Sequence, residues 1–228
     1  FPLLAEYVIS NGGVVYGVGF QEHFVVSHKR ADSLEDCQEF RGSKYSQSDI
    51  VGIFNSVKAD LKKGHMALFS GTPCQAAGLR LYLGKINADK LILVDIICHG
   101  VSSPAVWKDY IDYLENQTKK KIIRVDFRDK SIFGWSGIHK ESFVFEDNKK
   151  RTFDYVYYND RIVRPSCHNC QYCSTERISD ITIGDLWGWR NVCPESFNAD
   201  DKGCSDDDAL DALFENNEIT LLKPEDDN

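Results

Sequence analysis

The run Arg164-Pro-Ser-Cys-His-Asn-Cys-Gln-Tyr-Cys173 places three of the chain's eight cysteines within seven consecutive positions. Cys-x-x-Cys spacing lets two thiolates reach one ion or cluster across a tight turn, and Pro165 is expected to keep the first sulfur out of a helix. A structural zinc site or a disulfide are the bland alternatives. A ferredoxin run would continue with three residues and a fourth cysteine before proline, but Arg177 stands where that cysteine belongs. At least one ligand must then come from elsewhere. Cys74, in Phe69-Ser-Gly-Thr-Pro-Cys-Gln75, and Cys98, in Asp95-Ile-Ile-Cys-His-Gly100, each follow an apolar run that reads as a buried strand. Ligands of open α/β sheets bind beyond the carboxyl ends of the strands. Two strand-end thiols and the Cys-x-x-Cys turn are therefore expected to converge on one site, and the residue types rank an iron–sulfur cluster above zinc.

The elements that must position these thiols are legible from periodicity. Pro2 to Ser10 has helical spacing and ends in Asn11-Gly12-Gly13. Val14 to Phe20 and His23 to His28 alternate as two strands of an antiparallel hairpin, with Gly17 and Gly19 packing closely against a neighbour. Ser33 caps a short helix to Phe40 that holds Cys37 as an inert small hydrophobe. Arg41-Gly-Ser-Lys-Tyr45 breaks the pattern and reads as a turn able to present N–H groups and charge to a phosphate. Ser48 to Lys63 predicts a second helix, with Ile50, Ile53, Phe54, Val57 and Leu61 as its buried stripe.

His65 to Ser70 predicts a strand, Gly71-Thr-Pro a turn, and Cys74 to Leu83 a helix whose first turn would favour a thiolate. Leu91 to Ile97 is the next strand, and its Asp95 is either satisfied locally or serves the site. Ser103 to Thr118 is a helix with Val106, Trp107, Tyr110, Ile111 and Leu114 inward. Lys121 to Arg128, Glu141 to Phe145 and Ile181 to Gly184 read as strands, Trp135 as a loop aromatic, and Tyr155, Tyr157 and Tyr158 as part of a helix. The fold class is α/β, a mixed, partly parallel sheet flanked by helices, with a cysteine-rich turn near its C-terminal part.

At 228 residues the chain can bury one good core. We expect one domain over residues 1–198 and an acidic tail over 199–228 with one helix near Leu210 to Phe214. A formal net charge of −8 argues against a nucleic-acid partner. No apolar run reaches membrane-spanning length, and eight cysteines in a chain this size fall short of a disulfide scaffold, so a reducing, cytoplasmic setting is expected.

The assembled motifs resemble the beta subunit family of coenzyme F420 hydrogenases and dehydrogenases, which includes related flavin-containing iron–sulfur reductases. The resemblance runs through Arg41-Gly-Ser-Lys-Tyr45, Ser70-Gly-Thr-Pro-Cys-Gln75, Asp95 through Cys98-His-Gly100, Arg164-Pro-Ser-Cys-x-x-Cys170, Ser179-Asp-Ile-Thr-Ile-Gly-Asp185 and Asp201-Lys-Gly203, in family order. It implies FAD and one four-iron, four-sulfur (4Fe-4S) cluster, with electrons passing between the cluster and a small-molecule acceptor docked on the flavin, deazaflavin F420 or another. Carried over by position, it implies Cys74, Cys98, Cys167 and Cys170 as cluster ligands. Gly42, Ser43, Lys44 and Tyr45, with Ser70, Gly71, Thr72, Pro73 and Gln75, are implied as flavin contacts, Lys44 facing phosphate or the flavin's electron-rich edge. Cys173, Cys193 and Cys204 fall outside the family pattern and read as spare thiols. The family usually has an upstream ferredoxin-like segment and a Ser-Gly-Gly flavin loop, and the abrupt start at Phe1 leads us to expect a longer native chain with such an electron partner. The competing reading is a zinc-stapled binding module without redox activity.

Overall fold

The computed structural model describes residues 1–86, 88–133, 141–153 and 161–184. Its centre is a five-stranded sheet built from β1 (Val14–Phe20), β2 (Val26–Ala31), β3 (Ala67–Gly71), β4 (Leu91–Ile96) and β8 (Ile181–Ile183), in the order β2-β1-β3-β4-β8. Strands β1, β3, β4 and β8 run parallel, and β2 alone is antiparallel, paired with β1. The sheet is mixed and partly parallel, as the apolar runs predict.

Alternation along the central strands sends side chains to two covered faces. Val14, Tyr16, Ala67, Phe69 and Leu93 pack with Val57 and Leu61 of α3 (Ile53–Lys62) and with Leu79 and Leu83 of α4 (Pro73–Leu83). Val15, Leu68 and Val94 face the other way, onto Ala5 and Val8 of α1 (Pro2–Ser10), Cys37 of α2 (Leu34–Cys37) and Phe40. Gly17 is obligatory on that face, because a Cβ there would lie 2.4 Å from the Phe40 ring.

A second, three-stranded antiparallel sheet holds β5 (Ile122–Asp126), β6 (Glu141–Phe145) and β7 (Lys150–Phe153) in that order, with a one-turn helix α6 (Lys130–Phe133) after β5. It packs with α5 (Pro104–Thr118) around Trp107, whose ring centre is 4.3 Å from that of Phe127 and whose Nε1–H donates to Phe24 O at 2.8 Å. Val26 joins the same cluster, so this layer is fastened to the β1–β2 end of the main sheet.

Several boundaries differ from the periodicity. The β1–β2 connection runs through a short 3-10 turn in which His23 and Phe24 take φ of 54° and 58°, so β2 begins at Val26 and not at His23. Helix α3 begins at Ile53 and not at Ser48, because Ser46 and Asp49 form backbone bridges to Ser102 and Ser27 and the chain turns at Gly52 with φ +79°. Val106 of α5 is exposed, while Trp107, Ile111 and Leu114 are buried. Strand β7 adds to the expected elements, and the turn before it is made by Asn148 at φ +59°. Trp135, the three tyrosines at 155, 157 and 158 and the acidic tail lie outside the described residues.

Candidate functional site

Both strand-end cysteines sit where the parallel strands discharge their chains. Strand β3 ends at Gly71, Thr72 caps α4, and Cys74 occupies the second position of that helix. Thr72 and Gln75 close a reciprocal capping box: the Thr72 side chain takes the Gln75 backbone N–H, and Gln75 Oε1 takes the Thr72 N–H at 3.0 Å. Two residues beyond β4, Cys98 Sγ accepts the Gly100 N–H at 3.4 Å. Pro165 opens a one-turn helix α7 (Pro165–His168) that carries Cys167, contrary to the expectation that it keeps that sulfur out of a helix; proline at a first helical position forfeits no hydrogen bond.

The three segments approach one another. Arg164 N donates to Val101 O at 2.9 Å, and Val163 bridges Ser102. Gly100, at φ +119°, fits only because it lacks a side chain: a Cβ would lie 2.5 Å from Val163 Cγ1 and 3.3 Å from the Cys167 Cβ. Burial pushes the Cys98 thiol up to about 11, the Gly100 hydrogen bond opposes this, and Cys74, Cys167 and Cys170 each add repulsion. Cys74 and Cys98 follow the adjacent parallel strands β3 and β4, and Cys167 lies against the Gly100 turn. Cys98, Cys167 and Cys170 are partly buried, Cys74 and Cys173 exposed, and Cys37 is sealed in the core.

Among the described residues no three His, Cys, Asp or Glu side chains are close enough to share one metal ion. The four expected donors, Cys74, Cys98, Cys167 and Cys170, are all sulfur, the ligand type that an iron–sulfur cluster and a structural zinc both accept.

The two expected flavin loops stand beside these thiols. Tyr45 O accepts from Ser102 N at 3.0 Å, Gln47 N donates to Ser102 O at 3.0 Å, and Ser48 Oγ accepts from Gln75 Nε2 at 2.9 Å. Residues 45–48 are therefore stitched to both cysteine-bearing loops. Gly42, at φ +79°, and Ser43 are exposed. Lys44 is turned into its own loop, its Nζ donating to Glu39 O at 2.8 Å and Arg41 O at 2.9 Å, and burial lowers it to about 8. Ser70 O takes a hydrogen bond from His28 Nε2 at 3.1 Å; Gly71 and Pro73 are buried.

Arg177 and Asp95 hold the far side. Arg177 donates to Asp95 Oδ1 at 3.2 Å, Ile96 O at 3.0 Å, Thr182 Oγ1 at 3.1 Å and Ser174 O at 3.1 Å. Thr182 Oγ1 donates to the same Asp95 oxygen at 2.7 Å. Asp95 is therefore satisfied locally through one oxygen, which ties the segment after the cysteine turn to the end of β4. Its Oδ2 has no partner among the described residues, and the residue lines a cavity of about 420 Å³ with Pro73, Tyr172 and Arg177. Sequence reasoning missed His28 and Ser48, which support the Thr72 loop, and gave Gly100 no role of its own. Strand β2 reads Val-Ser-His-Lys-Arg-Ala, mostly polar, so nothing in the sequence singled out His28.

Residues 65–207, more than half of the chain, match the family model for the C-terminal part of the coenzyme F420 hydrogenase/dehydrogenase beta subunit. Among solved structures, a chain of the F420-reducing NiFe hydrogenase complex from Methanosarcina barkeri superposes with a TM-score of 0.55 at 18% identity, over 81% of this chain and 62% of that one. The present chain thus spans less than two thirds of that neighbour, and the likeness shows the fold. No curated protein matches the sequence. Among the described residues, no helix is long and apolar enough to cross a membrane.

Proposed function

The chain belongs to the coenzyme F420 hydrogenase/dehydrogenase beta-subunit family, and from that premise we propose that it is an oxidoreductase domain holding a 4Fe-4S cluster on Cys74, Cys98, Cys167 and Cys170 beside FAD. The observation that carries the proposal is geometric: Cys74 and Cys98 lie just beyond the adjacent parallel strands β3 and β4, and the turn after Cys98 closes on the Cys167 segment, a Cβ at Gly100 lying 3.3 Å from the Cys167 Cβ. When bound, the cluster supplies one-electron transfer and the flavin links it to two-electron chemistry on an organic acceptor.

The chain's own residues do the positioning. Cys74 is placed by the first turn of α4, and the Gly100 N–H bonds the Cys98 sulfur, which favours that sulfur as thiolate. The loops at Gly42–Tyr45 and Ser70–Gln75 would contact the flavin, and the Lys44 ammonium would exchange two loop carbonyls for a phosphate or the ring's electron-rich edge. Partners in this reading are a ferredoxin-like domain or protein as electron donor and a small-molecule acceptor such as F420, in the cytoplasm.

Anaerobic reconstitution of the longest native chain, followed by iron, sulfide, zinc and flavin analysis, tests this. About four iron and four sulfide per chain are expected, with broad visible absorbance abolished by serine at any of the four cysteines and retained in Cys37→Ser. Zinc bound without sulfide would overturn the proposal in favour of a zinc-stapled binding module.

A further inference from the structure

Resting on that cluster reading, we propose that the Thr72 hydroxyl donates a hydrogen bond to the Cys74 sulfur and thereby raises the reduction potential of the group this sulfur holds, its aim fixed by a chain of side chains ending at His28.

The direction of every bond in that chain can be deduced. Ser70 O is a carbonyl and can only accept, so the His28 Nε2 that lies 3.1 Å from it carries a hydrogen. The His28 ring is buried, stacked on Phe69 with centroids 5.1 Å apart and planes 4° from parallel, and held neutral. Its Nδ1 is therefore bare, and Ser48 Oγ at 2.9 Å must donate to it. The Ser48 oxygen is then free to accept from Gln75 Nε2 at 2.9 Å, which decides which way round the Gln75 amide sits. Its Oε1 faces Thr72 and takes the Thr72 N–H at 3.0 Å.

One hydrogen is left to place, that of the Thr72 hydroxyl, whose oxygen already accepts the Gln75 backbone N–H. Two acceptors stand at 3.1 Å each: Gln75 Oε1 and Cys74 Sγ. The amide oxygen already has a donor. An iron-bound sulfur carries thiolate charge, and a charge-assisted bond is the stronger of the two. Hydrogen bonds to ligand sulfurs are among the protein's means of setting cluster potential, because they stabilise the extra electron of the reduced form.

Redox titration followed by electron paramagnetic resonance, on the anaerobically reconstituted chain and on Thr72→Val and Thr72→Ser, decides the matter. Thr72→Val is expected to shift the midpoint to lower potential and to lose one proton coupling that exchanges in D2O; Thr72→Ser is expected to keep both. Should the valine variant fail to fold, Thr72→Ala supplies the same comparison. An unchanged midpoint and an unchanged exchangeable coupling in a cluster-loaded Thr72→Val or Thr72→Ala chain would overturn this inference and leave the functional proposal standing. A wild-type chain that takes up no iron and sulfide would overturn both.

Discussion

Replacing His28 by glutamine should remove a specific piece of the chain's acid sensitivity. The His28 ring is 3% exposed, and burial pushes it from an ordinary 6.5 down to about 4. A base with a depressed folded value contributes stability that is present above its unfolded value and is lost as pH falls towards its folded value. The relevant window therefore runs from about 6.5 down to about 4, where the unfolded chain binds a proton that the native chain refuses. The whole interval corresponds to about 3 kcal/mol, of which about 2 kcal/mol is reached between pH 7 and pH 4.5. Asp60, Glu115 and Asp129 are held below the usual carboxylate range by partners, and their contributions fade mainly beneath this window. Urea unfolding of wild type and His28→Gln at pH 7 and pH 4.5 isolates the histidine. Wild type should lose about 2 kcal/mol more than the variant. Equal losses would show that His28 is protonated, or solvated, in the native protein, and would remove the bond directions on which the Thr72 assignment depends.

Two further substitutions probe how the cysteine loops are held. Arg177→Ala deprives the fully buried Asp95 of its cationic partner and should cost about 3 to 5 kcal/mol in urea unfolding; a loss under about 1 kcal/mol would mean that Thr182 alone suffices. Gly100→Ala adds a Cβ 2.5 Å from Val163 and 3.3 Å from the Cys167 Cβ, so it should cut iron and sulfide uptake on reconstitution well below wild type, and undiminished uptake would sink the claim that this close approach builds the site.

Much of the scaffold could be read from the sequence because it obeys local rules. The apolar runs of β1, β3 and β4 and the Ser33 and Ser103 caps each act within a few residues, and the structure places them as their types demand. Residues 48–52 defeat local reasoning: they lead into the apolar stripe of α3 and read as its first turn, but backbone bridges from Asp49 to Ser27 and from Ser46 to Ser102 hold this segment out of the helix, and those partners lie about 20 and 55 residues away. Strand β7 escapes such reasoning because it is short and basic at its start, and Lys150, Arg151 and Thr152 are exposed, so no apolar pattern marks it. At the site, the placement of Cys74 and Cys98 just beyond strands β3 and β4 was legible from the apolar runs before them. The bond between Arg177 and Asp95 was not, since an arginine where a cysteine is expected announces only what is missing.

The short strand β8 has a consequence for how the chain acquires its shape. It pairs with β4 although Ile96 and Ile181 are separated by the whole of α5 and the three-stranded sheet. That intervening layer is made of local antiparallel neighbours and a helix, and can form early; the pairing of β4 with β8 closes a long loop and belongs among the slow steps. As the polypeptide leaves the ribosome, the open edge of β4 stays without its final neighbour until residue 183 has emerged, a period in which it can pair with the wrong chain. Arg177 and Thr182 arrive with β8, so completing the sheet also anchors the end of the cysteine turn to Asp95. On the proposed cluster reading, edge protection and the gathering of the four thiols would be one event in maturation, and iron supplied before it would meet Cys74 and Cys98 without their two remaining companions.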